Sequence, residues 1–281
     1  MSTRINHNVL SLIGQRNIWQ TQGQLDQAVN RLSSGLRINY AWEDPAGMAV
    51  SERLRAQIAS MEEAERNANY AINMLQTAEG GLAVIDDSLI RLRALAIQAS
   101  NGALTSGDRI ALNREFEQLV SEIDRIARNT NYNGLYLLDG SLSGNDTRSG
   151  VKLHIGTYNR YGRDYYWVSM GDATTSALGI DELDITNTLN AQSAINALDE
   201  AITSKDALRT YFGAYINRLQ NTILNLQISK ENATQSESQI RDADIAAEMS
   251  EFVRAQILMQ SGISMLSQAN MIPQMVAQLI G

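Results

Sequence analysis

Apolar residues recur at helical spacing over most of this chain. In the interior, Ile58, Met61, Ala68, Ile72, Leu75, Leu82, Ile85, Leu89, Leu92 and Ala99 fall at intervals of 3, 4 or 7. That stripe predicts one amphipathic helix from about Pro45, a residue favoured in a first turn, to about Ser100. At about 1.5 Å per residue such a helix is a rod of roughly 80 Å. Gly80-Gly81 inside it predicts a local bend. Asn101-Gly102 and Ser106-Gly107 mark a turn, and Asp108 is read as the N-cap of a second helix through about Asn129. Ile110, Phe116, Leu119, Ile123 and Ile126 face its interior. A further helix, from about Leu189 to Gln239, carries Ile195, Leu198, Ile202, Leu208, Ile216, Leu219, Ile223 and Leu226.

The two ends read the same way. Ile5, Val9, Leu12, Trp19, Leu25, Val29, Leu32 and Leu36 recur mostly at 3, 4 or 7 and stop at Ser33-Ser34-Gly35. Ile245, Met249, Phe252, Met259, Ile263, Leu266 and Ile280 form a heptad ladder, interrupted by Gln256, Asn270 and Pro273. A break near Ser236-Glu-Ser238 separates this end from the helix before it. Neither end has a globular core of its own, so the simplest burial pairs them with each other and then with further copies. Helices this short of partners are only partly supported by propensity, which points to folding coupled to assembly.

Only the middle changes period. Between Asn131 and about Ile180 glycines and tyrosines accumulate, and Val151–Ile155 and Tyr165–Ser169 alternate as strands should. Asn159-Arg-Tyr-Gly162 is a turn candidate between them. The expected fold is mainly α, an elongated rod of long antiparallel, coiled-coil-like helices. It carries a small β-hairpin element in the middle and paired terminal helices. The expected divisions are an N-terminal core helix with its connecting segment (1–43), a rod region (44–187), a C-terminal rod helix (188–238) and a C-terminal core helix (239–281).

Composition narrows the function classes. The absence of Cys excludes disulfides, thiolate metal sites and a Cys nucleophile. Two isolated histidines, His7 and His154, give no metal site or triad, and no cofactor is expected. A net charge of −8 argues against nucleic acid, and no apolar run reaches bilayer length. Asp139–Asp146 resembles a calcium loop only loosely, lacking the terminal Glu. Asp242 and Asp244 are read as helix-start residues, and no enzyme emerges. Twenty of the 23 basic residues are Arg, which suits fork-like contacts between helices and subunits.

Ordered motifs then carry a resemblance. Arg31-Leu-Ser-Ser-Gly-Leu-Arg-Ile-Asn39, Glu43-Asp-Pro-Ala-Gly47, Arg66-Asn-Ala-Asn69 and Gln76-Thr-Ala-Glu-Gly80 are followed by Leu89–Gln98, Glu122-Ile-Asp-Arg125 and Tyr132-Asn-Gly134. Leu198-Asp-Glu-Ala201, Ile240-Arg-Asp-Ala-Asp244, Ala255-Gln-Ile-Leu258 and Gln268-Ala-Asn270 complete the series. In these the chain closely resembles bacterial flagellin.

The resemblance implies a structural, non-enzymatic subunit that self-polymerises into the helical flagellar filament for motility. Its terminal helices would line the filament core through Ile5, Val9, Leu12, Leu25, Val29, Leu32, Met249, Phe252, Met259, Ile263, Leu266 and Ile280. Implied partners are further copies, an export chaperone on the C-terminal helix, and hook-filament junction and cap proteins. The family's Toll-like receptor 5 epitope corresponds to Arg91, Leu95 and Glu115, although Ile90 stands where many recognised flagellins carry Gln. The resemblance also implies type III export without a cleaved signal peptide and an extracellular flagellum. The short middle is similar to that of minimal flagellins, including those of periplasmic filaments. A coiled-coil scaffold or adhesin without an ordered lattice is the alternative outside the family.

Overall fold

The computed structural model describes residues 7–144 and 150–280, with the backbone alone at Pro273 and at 276–280. Among these residues are five helices: α1 (Val9–Ser34), α2 (Pro45–Ala99), α3 (Ser106–Asn129), α4 (Thr188–Arg241) and α5 (Ile245–Ile280). Four short strands lie between α3 and α4: β1 (Asn131–Tyr132), β2 (Leu135–Tyr136), β3 (Val151–His154) and β4 (Tyr165–Val168). The chain forms two compact units, one from residues up to 58 with those from 231 onward, the other from 59–230.

In the unit of residues 59–230, α2 lies antiparallel to both α3 and α4. Arg91 pairs with Glu115 of α3, while Asp86 meets Lys205 and Arg93 meets Asp199 of α4. The stripe read from spacing is the core: Leu75, Leu82, Ile85, Leu89 and Leu92 are fully buried with Phe116, Ile123, Leu198, Phe212 and Leu219. Lys205 is buried too, with its Nζ 2.5 Å from the Asp86 carboxylate and 2.7 Å from that of Asp206. The helix runs through Gly80-Gly81 without interruption. Gly81 is there for close approach, because a methyl group would sit 2.8 Å from the Thr130 hydroxyl.

Several boundaries differ from expectation. Thr105, not Asp108, caps α3: its hydroxyl accepts the Asp108 N–H while the Asp108 carboxylate accepts from the Thr105 N–H. Ser106-Gly107 therefore opens the helix rather than forming the turn. Ile110 faces outward, whereas Phe116 and Ile123 face inward as read. α4 continues through Ser236-Glu-Ser238, where the Ser236 hydroxyl bonds back to the Asn232 carbonyl, and breaks only after Arg241.

Among the described residues the middle holds two hairpins where the pattern shows one. β1 and β2 pair across Asn133-Gly134, both with positive φ, and two-residue strands are too short to show a period. β3 and β4 pair antiparallel, Val151 opposite Val168 and His154 opposite Tyr165. Their connection is held by the Asp164 carboxylate, which accepts the N–H groups of Tyr158 and Arg160. Tyr166 is buried, with the Arg218 guanidinium 4.3 Å above its ring, and burial pushes the nearby Tyr211 hydroxyl up to about 12. Tyr158 and Tyr161 are exposed, so strand packing accounts for only part of the tyrosine cluster. Asp139 turns its carboxylate onto Ser141, and Asn145 and Asp146 of the calcium-like loop lie outside the described residues.

Candidate assembly surface

α1 and α5 form an antiparallel pair. Asn8 donates to the Ala269 carbonyl at one end, and Arg31 meets Glu248 at 2.9 Å at the other. Between these points Ser11, Gly14, Ile18, Thr21, Leu25, Ala28 and Leu32 of α1 are less exposed, in steps of three and four, with Gln27 turned aside to Glu43. On α5 Phe252, Ala255, Met259, Gly262, Leu266 and Ala269 are less exposed in the same alternation, with Glu251 beside them. The result is a heptad seam that sets large residues against small ones. Leu266 lies over Gly14, and a methyl group at Gly262 would stand 3.0 Å from Ile18 Cγ1. A helix interior charges about 1 kcal/mol for each glycine against Ala, and here the close approach of two backbones is the return.

The predicted ladder splits across this seam. Leu25, Leu32, Phe252, Met259 and Leu266 take part in it, whereas Val9, Leu12, Val29, Met249 and Ile263 face outward. Ile5 and the side chain of Ile280 lie outside the described residues. The N-terminal ladder mixed two faces because Trp19 and Leu25 are six positions apart. The small seam residues Ser11, Gly14, Thr21, Ala28, Ala255, Gly262 and Ala269 were missed, since a search for large apolar residues passes over them. The seven-residue recurrence of Gly14, Thr21 and Ala28, and of Ala255, Gly262 and Ala269, was the available signal.

Large side chains thus crowd the outside of the pair. Trp19 is 74% exposed, and Leu10, Ile13, Ile257, Leu258, Met265, Met271 and Met275 are also open. A groove of about 490 Å³ runs along the seam, edged by Leu10, Ile13, Leu258, Met265 and Ile272. In α1 and α5 the only fully shielded side chains among those described are Ala28 and Ala255. Contiguous apolar exposure on this scale marks an interaction surface.

Three of the quoted motifs, Arg31–Asn39, Glu43–Gly47 and Ile240–Asp244, lie where the pair ends. Gly35 closes α1 in the left-handed conformation at φ 70°, its N–H on the Arg31 carbonyl. Leu36 then pairs with Asp242 across a single bridge, Arg37 N–H donates to the Arg241 carbonyl, and the Arg37 side chain reaches the Ile240 carbonyl. Asp244 caps α5 through the N–H groups of Ala246 and Ala247, and Asp44 caps α2 through Gly47 N–H. Glu43 fixes the segment between. Burial acts to raise its carboxyl, but the N–H groups of Asn39 and Tyr40, the Gln27 amide and the Arg31 charge outweigh it and hold it below the usual range.

The receptor-epitope residues belong to the other unit. Arg91 and Glu115 are exposed and bonded to each other at 2.6 Å, but Leu95 is 1% exposed and belongs to the core. Its heptad position relative to Leu92 and Ala99 turns it inward, so it presents nothing to a partner.

Residues 5–143 match the family model for the bacterial flagellin N-terminal helical region, and 195–280 match that for the C-terminal helical region. The chain is 44% identical over 278 residues to a flagellin of Halalkalibacterium halodurans, covering 98% of this chain and 99% of the relative. It is 38% identical over 287 residues to the flagellar filament 33 kDa core protein of Treponema phagedenis, with the same coverage. A solved structure described as a flagellar hook-associated protein of Vibrio parahaemolyticus shares the fold at a TM-score of 0.58 and 13% identity, covering 71% of this chain and all of that one. The chain belongs to the bacterial flagellin family.

Proposed function

We propose that this flagellin is a structural subunit of the flagellar filament and that copies meet through the outer faces of α1 and α5. One observation carries the reading: a two-helix pair buries a single narrow seam and leaves Val9, Leu12, Val29, Met249 and Ile263 uncovered beside it. Identical head-to-tail contacts that do not close into a ring generate a helical polymer, which suits a surface spread along a whole helix pair. The names of the relatives, a flagellin and a filament core protein, support the same reading.

Electron microscopy of the full chain at high concentration tests it. Long uniform tubes are expected, whereas irregular rods or small oligomers would favour a scaffold without a lattice. A chain lacking residues 1–36 or 240–281 is expected to remain monomeric in sedimentation, and tubes formed by either truncation refute the assignment.

The finer partners belong to the same proposal. The open apolar face of α5 supports an export chaperone that covers it before assembly, with hook-filament junction and cap proteins meeting the filament at its ends. The filament is placed outside the cytoplasm, in the extracellular space or the periplasm. None of the described helices is long and apolar enough to cross a membrane. Contact with Toll-like receptor 5 would run through the exposed pair Arg91 and Glu115, without Leu95.

A further inference from the structure

The segment joining α1 to α2 carries an aromatic knob that the helix seam does not explain. Tyr40 and Trp42 stack with ring centroids 5.9 Å apart and planes 12° from parallel, yet Tyr40 is 51% and Trp42 74% exposed. The backbone beneath them is locked. Glu43 N–H donates to the Tyr40 carbonyl, the Glu43 carboxylate accepts the N–H groups of Asn39 and Tyr40, and the Asn39 amide donates to the Leu36 carbonyl. Ile38, two residues before Tyr40, is 2% exposed and anchors the loop. Its polar groups are thus turned inward while its two largest side chains are held out.

Rigid aromatic side chains on a fixed backbone lose little freedom when a partner covers them, and Trp and Tyr dominate interface hot spots for that reason. From this geometry we infer that Tyr40 and Trp42 form an inter-subunit contact that packs against the apolar surface of a second copy of this chain. A second copy is the occupant because the knob lies in the same compact unit as the open faces of α1 and α5 and is tied to α1, whose Gln27 amide donates to the Glu43 carboxylate. The inference rests on that proposal.

The test compares the unaltered chain with Trp42→Ala, Trp42→Phe and the control Tyr158→Ala, which removes an exposed tyrosine from the other unit. The critical concentration for polymerisation is expected to rise roughly tenfold for Trp42→Ala, the loss of one hot-spot side chain. Trp42→Phe restores most of it, Tyr158→Ala leaves it unchanged, and the circular dichroism and melting of the monomer do not move. As a direct readout, the chain with Trp19→Phe and Trp167→Phe keeps Trp42 as its one tryptophan. Its emission is expected to shift to the blue and its acrylamide quenching to fall when tubes form. Tubes with unchanged critical concentration in Trp42→Ala refute the knob while leaving the assembly proposal standing. Failure of the unaltered chain to polymerise refutes both.

Discussion

The helices of residues 59–230 and the terminal pair α1–α5 share the same apolar period but use it differently. In the first, α2 sends Leu75, Leu82, Leu89 and Leu92 into a core closed by α3, α4 and the hairpins, and all four are fully buried. In the second, two helices meet along a seam of glycine, alanine and medium side chains, and residues as large as Trp19 and Met265 stay open. A helix pair can bury one stripe only; a third and fourth element are needed to cover the flanks. The difference teaches that a large apolar residue at helical spacing marks a surface to be covered, without saying whether the same chain covers it.

The sharpest way to break this contrast is a charge on the open face. Met265→Glu is expected to abolish polymerisation outright while changing the monomer's unfolding free energy by less than about 0.5 kcal/mol, since a solvated side chain is replaced by another. A monomer destabilised by urea titration to a core-like extent would erase the distinction between the two regions. The reverse holds in the closed core. Leu89→Ala should cost about 2–5 kcal/mol in the unfolding of residues 59–230, because the cavity is lined on all sides. A loss below 1 kcal/mol would show that this core is as loosely filled as the terminal pair.

Smaller effects sharpen the seam itself. Gly262→Leu forces Ile18 away from α5, an overpacking penalty of about 1–3 kcal/mol that should appear as faster amide exchange along α1. Unchanged exchange would remove the close glycine contact as a cause of pairing. The Glu43 lock is titratable. Its folded carboxyl lies below the ordinary value near 4.3, so its contribution is complete above that pH and is lost as pH falls through the folded value. The Trp42 environment should therefore loosen in acid, below the ordinary carboxylate range, and Glu43→Gln should flatten that profile. The smallest effect is expected at Arg91→Ala. This exposed ion pair contributes about 0–1 kcal/mol to stability, so a receptor-binding assay would report contact rather than folding.

Arginine follows the same division of labour. Arg93 and Arg209 bridge α2 and α4, Arg31 joins α1 to α5, and Arg37 and Arg241 hold the crossing at residues 36–52 and 237–244. Arg55, Arg66, Arg125 and Arg128 instead pair within their own helix turns. The forks between helices are present, as composition suggested, but a local helical pairing is as common a use. Which arginine does which depends on the facing helix, and no spacing along one helix reports that.

The linear pattern was enough for the helices, the glycine stop at Gly35, the β3–β4 strands and the stripe from Met61 to Ala99, because a 3.6-residue period and the conformational freedom of glycine are local properties. The ordered motifs were enough for the family. What only the tertiary structure decided was the covering of each stripe. It separated Leu25 and Leu266, in the seam, from Val9 and Ile263, outside it, and it placed Leu95 in the core, away from any surface. It also lifted Tyr40 and Trp42 out of an otherwise anchored turn. Burial depends on what stands opposite, and small residues such as Gly14 and Gly262 acquire their meaning only when a second helix arrives.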